Sequence, residues 1–184
     1  MAMNWQRVFT WLIAIAFLIG VVFFFREIFG SEPSVTELMM NTITLRSTND
    51  TVQRAELVTD MDEMVKRLKN DAIRAQWLTL TSCIAGNACT QDDYFDFLLM
   101  IAIERKKEVP HADLIVNVIT ANRYWGNTEK LLEFSKALSV ANDQIESLQI
   151  KPIANKWQEV VYCDGKCLNY HDLFFEFIRL LLSV

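Results

Sequence analysis

WLTLTSC (residues 77–83) followed by YFDFLLMI (94–101), and WQEVVYC (157–163) followed by FFEFIRLL (174–181), are the stretches on which the organisation of this chain turns. A shift of 80 positions lays Trp77 on Trp157, Cys83 on Cys163, Phe95 on Phe175, Asp96 on Glu176 and Phe97 on Phe177. The same shift pairs Leu68 with Leu148, Ile73 with Ile153 and Leu98 with Ile178. Apolar matches alone arise by chance in a chain that is 52% hydrophobic. A tryptophan, a cysteine and a Phe-acid-Phe triplet in one register are a much rarer coincidence. Self-similarity at a fixed offset marks a repeated supersecondary unit. The expectation is two tandem related four-helix units, residues 31–110 and 111–184, joined by the charged run from Arg105 to Pro110.

The class of those units follows from composition and spacing. Five glycines and three prolines in 184 residues favour helices over a turn-rich sandwich. In the first unit, Ser34 to Glu37 has the pattern that opens a helix, expected to run to about Leu45. A short helix follows over 50–58, then a longer one over 60–83. Its apolar positions Met61, Val65, Leu68, Ile73, Trp77 and Leu80 recur at helical spacing. Thr90 to Asp93 opens a fourth helix, with acids at its start and Arg105, Lys106 and Lys107 at its end to complement its dipole. The second unit repeats the plan over 112–124, 128–140, 142–162 and 170–183, with Asn127 and Asn169 as N-caps and Pro152 splitting or kinking the third helix. The fold class is therefore all-α, with about eight helices and no sheet.

The two cysteine pairs occupy the same place in the plan, the corner between a long helix and an aromatic one. Cys83 and Cys89 bracket Gly86-Asn87, and Cys163 and Cys167 bracket Asp164-Gly165, both good turn sequences. Four cysteines allow three pairings, and the repeat favours the local one. Each such short loop would add roughly 2 kcal/mol in the loop-entropy picture. The rival is a structural metal site in a cytoplasmic domain, with His171 joining the four cysteines. The five-residue gap between Cys83 and Cys89 fits zinc spacing poorly. Disulfides persist in oxidising compartments, so local pairing places the domain outside the cytoplasm, in a periplasm, lumen or extracellular space.

Towards the amino terminus, residues 8–25 (VFTWLIAIAFLIGVVFFF) carry no charge. At about 1.5 Å per residue such a helix spans roughly 27 Å, the thickness of a bilayer's hydrocarbon. Arg7 precedes the run and Arg26 and Glu27 close it, with Trp5 and Trp11 at its near end. A cleaved signal peptide would have a shorter core followed by small residues, whereas Phe23, Phe24 and Phe25 stand here. Residues 1–30 are thus read as an uncleaved signal anchor, whose partner is the lipid bilayer. The flanking charges give only a slight bias to an inside amino terminus. Ala16 and Gly20 form one small-xxx-small pair, which would suit a homo-oligomer.

Past residue 30, removing Arg7 and Arg26 from 18 basic residues and Glu27 from 23 acidic ones leaves 16 against 22. With that acidic balance and no long basic run, nucleic acid is excluded as a partner. No phosphate loop, calcium loop, His-Glu-x-x-His or nucleophile-elbow motif is present, so no cofactor and no catalytic residue is assigned. His111 and His171 fall at helix starts without a triad partner in sequence. Asp92, Asp93 and Asp96 are read as helix-start acids, and Asn49-Asp50-Thr51 is a lone glycosylation sequon. The aromatics Trp77, Phe95, Phe97, Trp157, Phe175 and Phe177 either build a duplicated core or line a groove for a partner. The functional expectation is a noncatalytic, membrane-anchored protein-interaction module, an accessory or assembly subunit of an envelope complex. The alternative is a ligand sensor or unorthodox enzyme with a pocket between the two units.

Overall fold

Phe95 and Phe175, 80 positions apart in the chain, stack face to face with ring centroids 4.3 Å apart and planes 9° from parallel. The helices that carry them are the hubs of the molecule. A computed structural model describes residues 33–125, 127–163 and 170–184, together with Phe17, Ile19 and Val21. Contacts divide the chain into Met1–Pro33 and Ser34–Val184.

Of the first part, Phe17, Ile19 and Val21 are helical, and Phe17 and Ile19 are exposed. The expected membrane span over 8–25 otherwise lies outside the described residues. No helix among the described residues is long and apolar enough to cross a membrane.

Ser34–Val184 is all-helical. Among the described residues it holds eight α-helices, one 3-10 turn and no strand. The helices are α1 (Val35–Ser47), α2 (Thr51–Leu68), α3 (Asp71–Ala85), α4 (Gln91–Glu104), α5 (Ala112–Tyr124), α6 (Leu131–Leu148), α7 (Lys151–Tyr162) and α8 (Tyr170–Leu182), with the 3-10 turn Thr128–Lys130 ahead of α6. Four form a closed ring: α1 packs on α4 and α8, and α5 packs on the same two. Outside the ring, α2 and α3 lie against α1 and α4, while α6 and α7 lie against α5 and α8. Every packing of the first four helices thus has its counterpart among the last four.

Burial repeats as faithfully as topology. On α3 the buried residues are Ile73, Trp77 and Leu80; on α7 they are Ile153, Trp157 and Val160. Tyr94, Phe95, Phe97, Leu98, Ile101 and Ala102 of α4 map onto Phe174, Phe175, Phe177, Ile178, Leu181 and Leu182. The first helix of each set repeats too, but at another offset. Leu38, Met39, Thr42 and Ile43 match Leu114, Ile115, Val118 and Ile119, a shift of 76. Four extra residues therefore lie between α5 and α6 and form the 3-10 turn and its approach.

Two helix boundaries differ from the sequence expectation. The chain does not break at Thr59-Asp60: the Thr59 hydroxyl donates to the carbonyl of Ala55 and the helix runs on. It breaks at Lys69, which is left-handed at φ 50°, and at Asn70, whose Oδ1 accepts from the Ile73 N–H as an N-cap. The apolar stripe read as one helix over 60–83 is two stripes on consecutive helices. The same break recurs at Gln149, φ 54°, so α6 extends to Leu148. Pro152 then stands in the first turn of α7, where its missing N–H costs nothing. Asn127 caps the 3-10 turn by accepting from Glu129 and Lys130. The Asn169 cap lies outside the described residues.

Polar contacts fix the ends of the ring. Arg46 near the end of α1 meets Gln91 and Asp172 at the starts of α4 and α8, and Arg123 near the end of α5 meets Asp96 of α4. The chain enters the ring at the opposite end, at Ser34. There Arg105 Nη2 donates to the carbonyl of Leu68 at 2.7 Å.

Candidate functional site

The six aromatics expected to form either a core or a groove are all interior. Trp77, Phe95 and Phe97 are 1%, 1% and 0% exposed, and Trp157, Phe175 and Phe177 are 4%, 2% and 0%. Trp77 tilts against Phe97 at 5.3 Å and Trp157 against Phe177 at 5.1 Å. Each indole N–H finds an acceptor fifteen residues back: Trp77 Nε1 donates to Asp62 Oδ1 at 3.2 Å, and Trp157 Nε1 donates to Asn142 Oδ1 at 2.6 Å. Burying rings of this size contributes about 2–3 kcal/mol apiece through apolar transfer. The hydrogen bonds remove the penalty of a buried donor. Phe175 also borders a surface cleft.

Cys83 and Cys89 are disulfide-bonded with Cα atoms 4.9 Å apart, closing the α3–α4 corner. Their sulfurs lie near Asp93, but bonded to each other they offer no thiolate to a metal. Cys163 is disulfide-bonded as well, and Cys167 lies outside the described residues. Asp93 accepts from the Thr90 N–H and hydroxyl, and Asp96 pairs with Arg123, so two of the three acids near the start of α4 have structural partners. His111 caps α5 from a left-handed backbone at φ 53° and borders a cleft of about 370 Å³ beside Lys106, Asp113 and Gln144. His171 is exposed in the first turn of α8.

Among the described residues, three carboxylate or amine groups have shifted proton affinity. Asp62 is held below its ordinary range chiefly by its hydrogen bond to Lys66, with the Trp77 bond adding and burial opposing. Glu133 is lowered first by a hydrogen bond to its own backbone N–H and then by Lys130. Lys156 is raised, mainly by Glu176 at 2.5 Å and further by Glu159 at 3.0 Å. Of these contacts, Lys156–Glu176 ties α7 to α8, while Asp62–Lys66 and Lys130–Glu133 are local pairs within four residues of chain.

Two surface features remain that sequence reasoning missed. One is apolar: Leu131 and Leu132 are 64% and 81% exposed at the start of α6. Beside them Trp125 meets Phe134 edge to face at 5.2 Å. This tip follows directly on the four extra residues between α5 and α6. It lies at the end of the ring away from Ser34. The other is polar, a cleft of about 460 Å³ along the α1–α8 seam, bordered by Arg46, Asn49, Gln91, Asp172, Phe175 and Arg179. Arg46 is its most buried charge. Its Nε donates to Gln91 Oε1 at 2.6 Å, it pairs with Asp172, and its guanidinium lies 4.8 Å over the Phe175 ring.

No protein-family model, no curated protein and no solved structure matches this chain.

Proposed function

We propose that this chain is a membrane-tethered, noncatalytic helical module that binds another protein, as an accessory or assembly subunit of an envelope complex. The observation that carries the reading is the pairing of a filled centre with an exposed apolar tip. The Phe95–Phe175 stack fills the packing between α4 and α8, and the cleft between the units on the α1–α8 seam lies at the surface. Leu131 and Leu132 stand out in water instead, directly after the short segment that the second half adds to the first. Burying a leucine releases about 1.5–3 kcal/mol, so a partner covering both would gain substantially.

The two halves are in this reading the products of duplication, with residues 31–110 and 111–184 as related four-helix units. Matching burial on α3 and α7 and on α4 and α8 supports it. Residues 8–25 anchor the module, and the disulfide at the α3–α4 corner supports a position outside the cytoplasm. Titration of thiols under denaturing conditions tests that placement: no free thiol is expected, and four would sink it.

The partner test uses the full chain in native membranes with a photo-crosslinking residue at position 132. A discrete adduct is expected there, and none from position 52 on α2, where exposed Val52 sits outside the tip. Leu131→Glu with Leu132→Glu should abolish the adduct's co-purification without changing the melting temperature, because both side chains are already solvated. A featureless crosslinking pattern at position 132 would end the proposal.

A further inference from the structure

We infer that the cleft along the α1–α8 seam is an oxyanion site that takes a small carboxylate or a phosphate. The repeat supplies an internal control for this inference. At the shift of 80, three of the α8 residues at the cleft keep their character in α4: Asp172 matches Asp92, Phe175 matches Phe95 and Glu176 matches Asp96. The arginines do not. Arg179 stands where α4 has Leu99, and Arg46, at the shift of 76, stands where α5 has Asn122. Neither position has an arginine at its counterpart; the opposite seam carries Arg123 one residue further on, engaged by Asp96.

The two arginines differ in a useful way. Arg46 is held rigid, with its side chain 16% exposed and fixed by Gln91, Asp172 and the Phe175 face. Arg179 lies one helical turn beyond Phe175 on the same face of α8, solvent-exposed, and pairs with no acid among the described residues. The other acid bordering the cleft, Glu176, is engaged by Lys156. An anion entering the cleft thus meets a preset guanidinium, an uncommitted one, and the amides of Asn49 and Gln91. Guanidinium forks bind carboxylate and phosphate oxygens in the same planar geometry. Asp172 offsets part of the positive potential at Arg46, so binding is weak, with half-saturation on the order of millimolar.

The test is a titration of the full chain in uncharged detergent micelles, followed by the side-chain amide resonances of Asn49 and Gln91. Sodium phosphate and sodium acetate replace sodium chloride at constant ionic strength. Saturable shifts are expected. Arg179→Gln should weaken them by about tenfold or more, the worth of one charge-assisted contact, at an unchanged melting temperature. Arg179→Lys should restore part of the affinity, and Arg123→Gln on the opposite seam should leave it intact. Nanodiscs of phosphatidylglycerol against phosphatidylcholine separate the sources: saturation without added salt in the former alone assigns the oxyanion to a lipid headgroup. Linear, unsaturable shifts, or saturable ones that Arg179→Gln does not weaken, overturn the inference.

Discussion

Asp62 and Asn142 perform the same service for Trp77 and Trp157, yet only Asp62 can titrate. Its pKa is depressed, first by Lys66, so the folded state holds its proton less tightly than the unfolded chain does. The stability it contributes is present above the unfolded value and lost as pH falls through the folded one. Asp62→Asn copies the second half and should remove that acid loss while keeping the indole bond. Asp62→Ala should cost about 1 kcal/mol at neutral pH, because the Trp77 N–H loses its acceptor. Urea denaturation at pH 7 and pH 3 separates the two variants; equal acid sensitivity in wild type and Asp62→Asn would refute the assignment. Lys156 runs the other way. Raised by Glu176, it contributes stability below its ordinary value and loses it only as pH climbs past the raised one. A Lys156→Met variant should therefore lose less stability than wild type when urea denaturation is repeated at a pH above lysine's ordinary range.

The helices owe their boundaries to single residues in uncommon backbone. Lys69 and Gln149 close α2 and α6 at φ 50° and 54°, each followed by the start of the next helix. A left-handed conformation costs a side-chain-bearing residue about 1–2 kcal/mol, a penalty glycine escapes. Lys69→Gly and Gln149→Gly should each stabilise the protein by roughly 0.5–1 kcal/mol after glycine's extra unfolded-state entropy is counted. Thermal denaturation checks this, and a loss of stability in both would contradict the cap geometry. The same positions explain why these boundaries were hard to read in sequence. Lysine and glutamine are good helix formers, and nothing in their chemistry announces a left-handed turn. The Asn70 cap was the legible signal, but the apolar spacing ran across it without interruption. Where a proline marked the matching place at residue 152, a break was foreseen, though as a split within a helix and not as the start of one.

At the scale of the whole molecule, the α1–α4–α5–α8 ring closes on the Phe95–Phe175 stack. Each half contributes one ring, so neither half has a finished core alone. Phe95→Ala and Phe175→Ala should each cost about 3–5 kcal/mol, the usual range for removing a buried phenylalanine. The double variant should cost clearly less than their sum, since both remove the same contact. Full additivity in urea denaturation would show that the two rings are energetically independent. The exposed Leu131–Leu132 tip belongs to this scale as well, because only the completed packing shows which apolar residues have been left outside.

The all-helical class, the span of α5 and the corner pairing of Cys83 with Cys89 were determined by sequence alone, where the 80-position register of Trp77 with Trp157 and Phe95 with Phe175 is also visible. These properties depend on periodicity, composition and short-range geometry, which act within a few turns of chain. The repeat of the first helix was hidden, because four inserted residues move it from a shift of 80 to one of 76. Only the tertiary structure sent all six aromatics to the interior, set Phe95 against Phe175, and brought Arg46 to Asp172, 126 positions away along the chain. Such contacts come from how amphipathic helices close on one another. A hydrophobic stripe dictates that a helix must bury a face, and it leaves open which partner that face will meet.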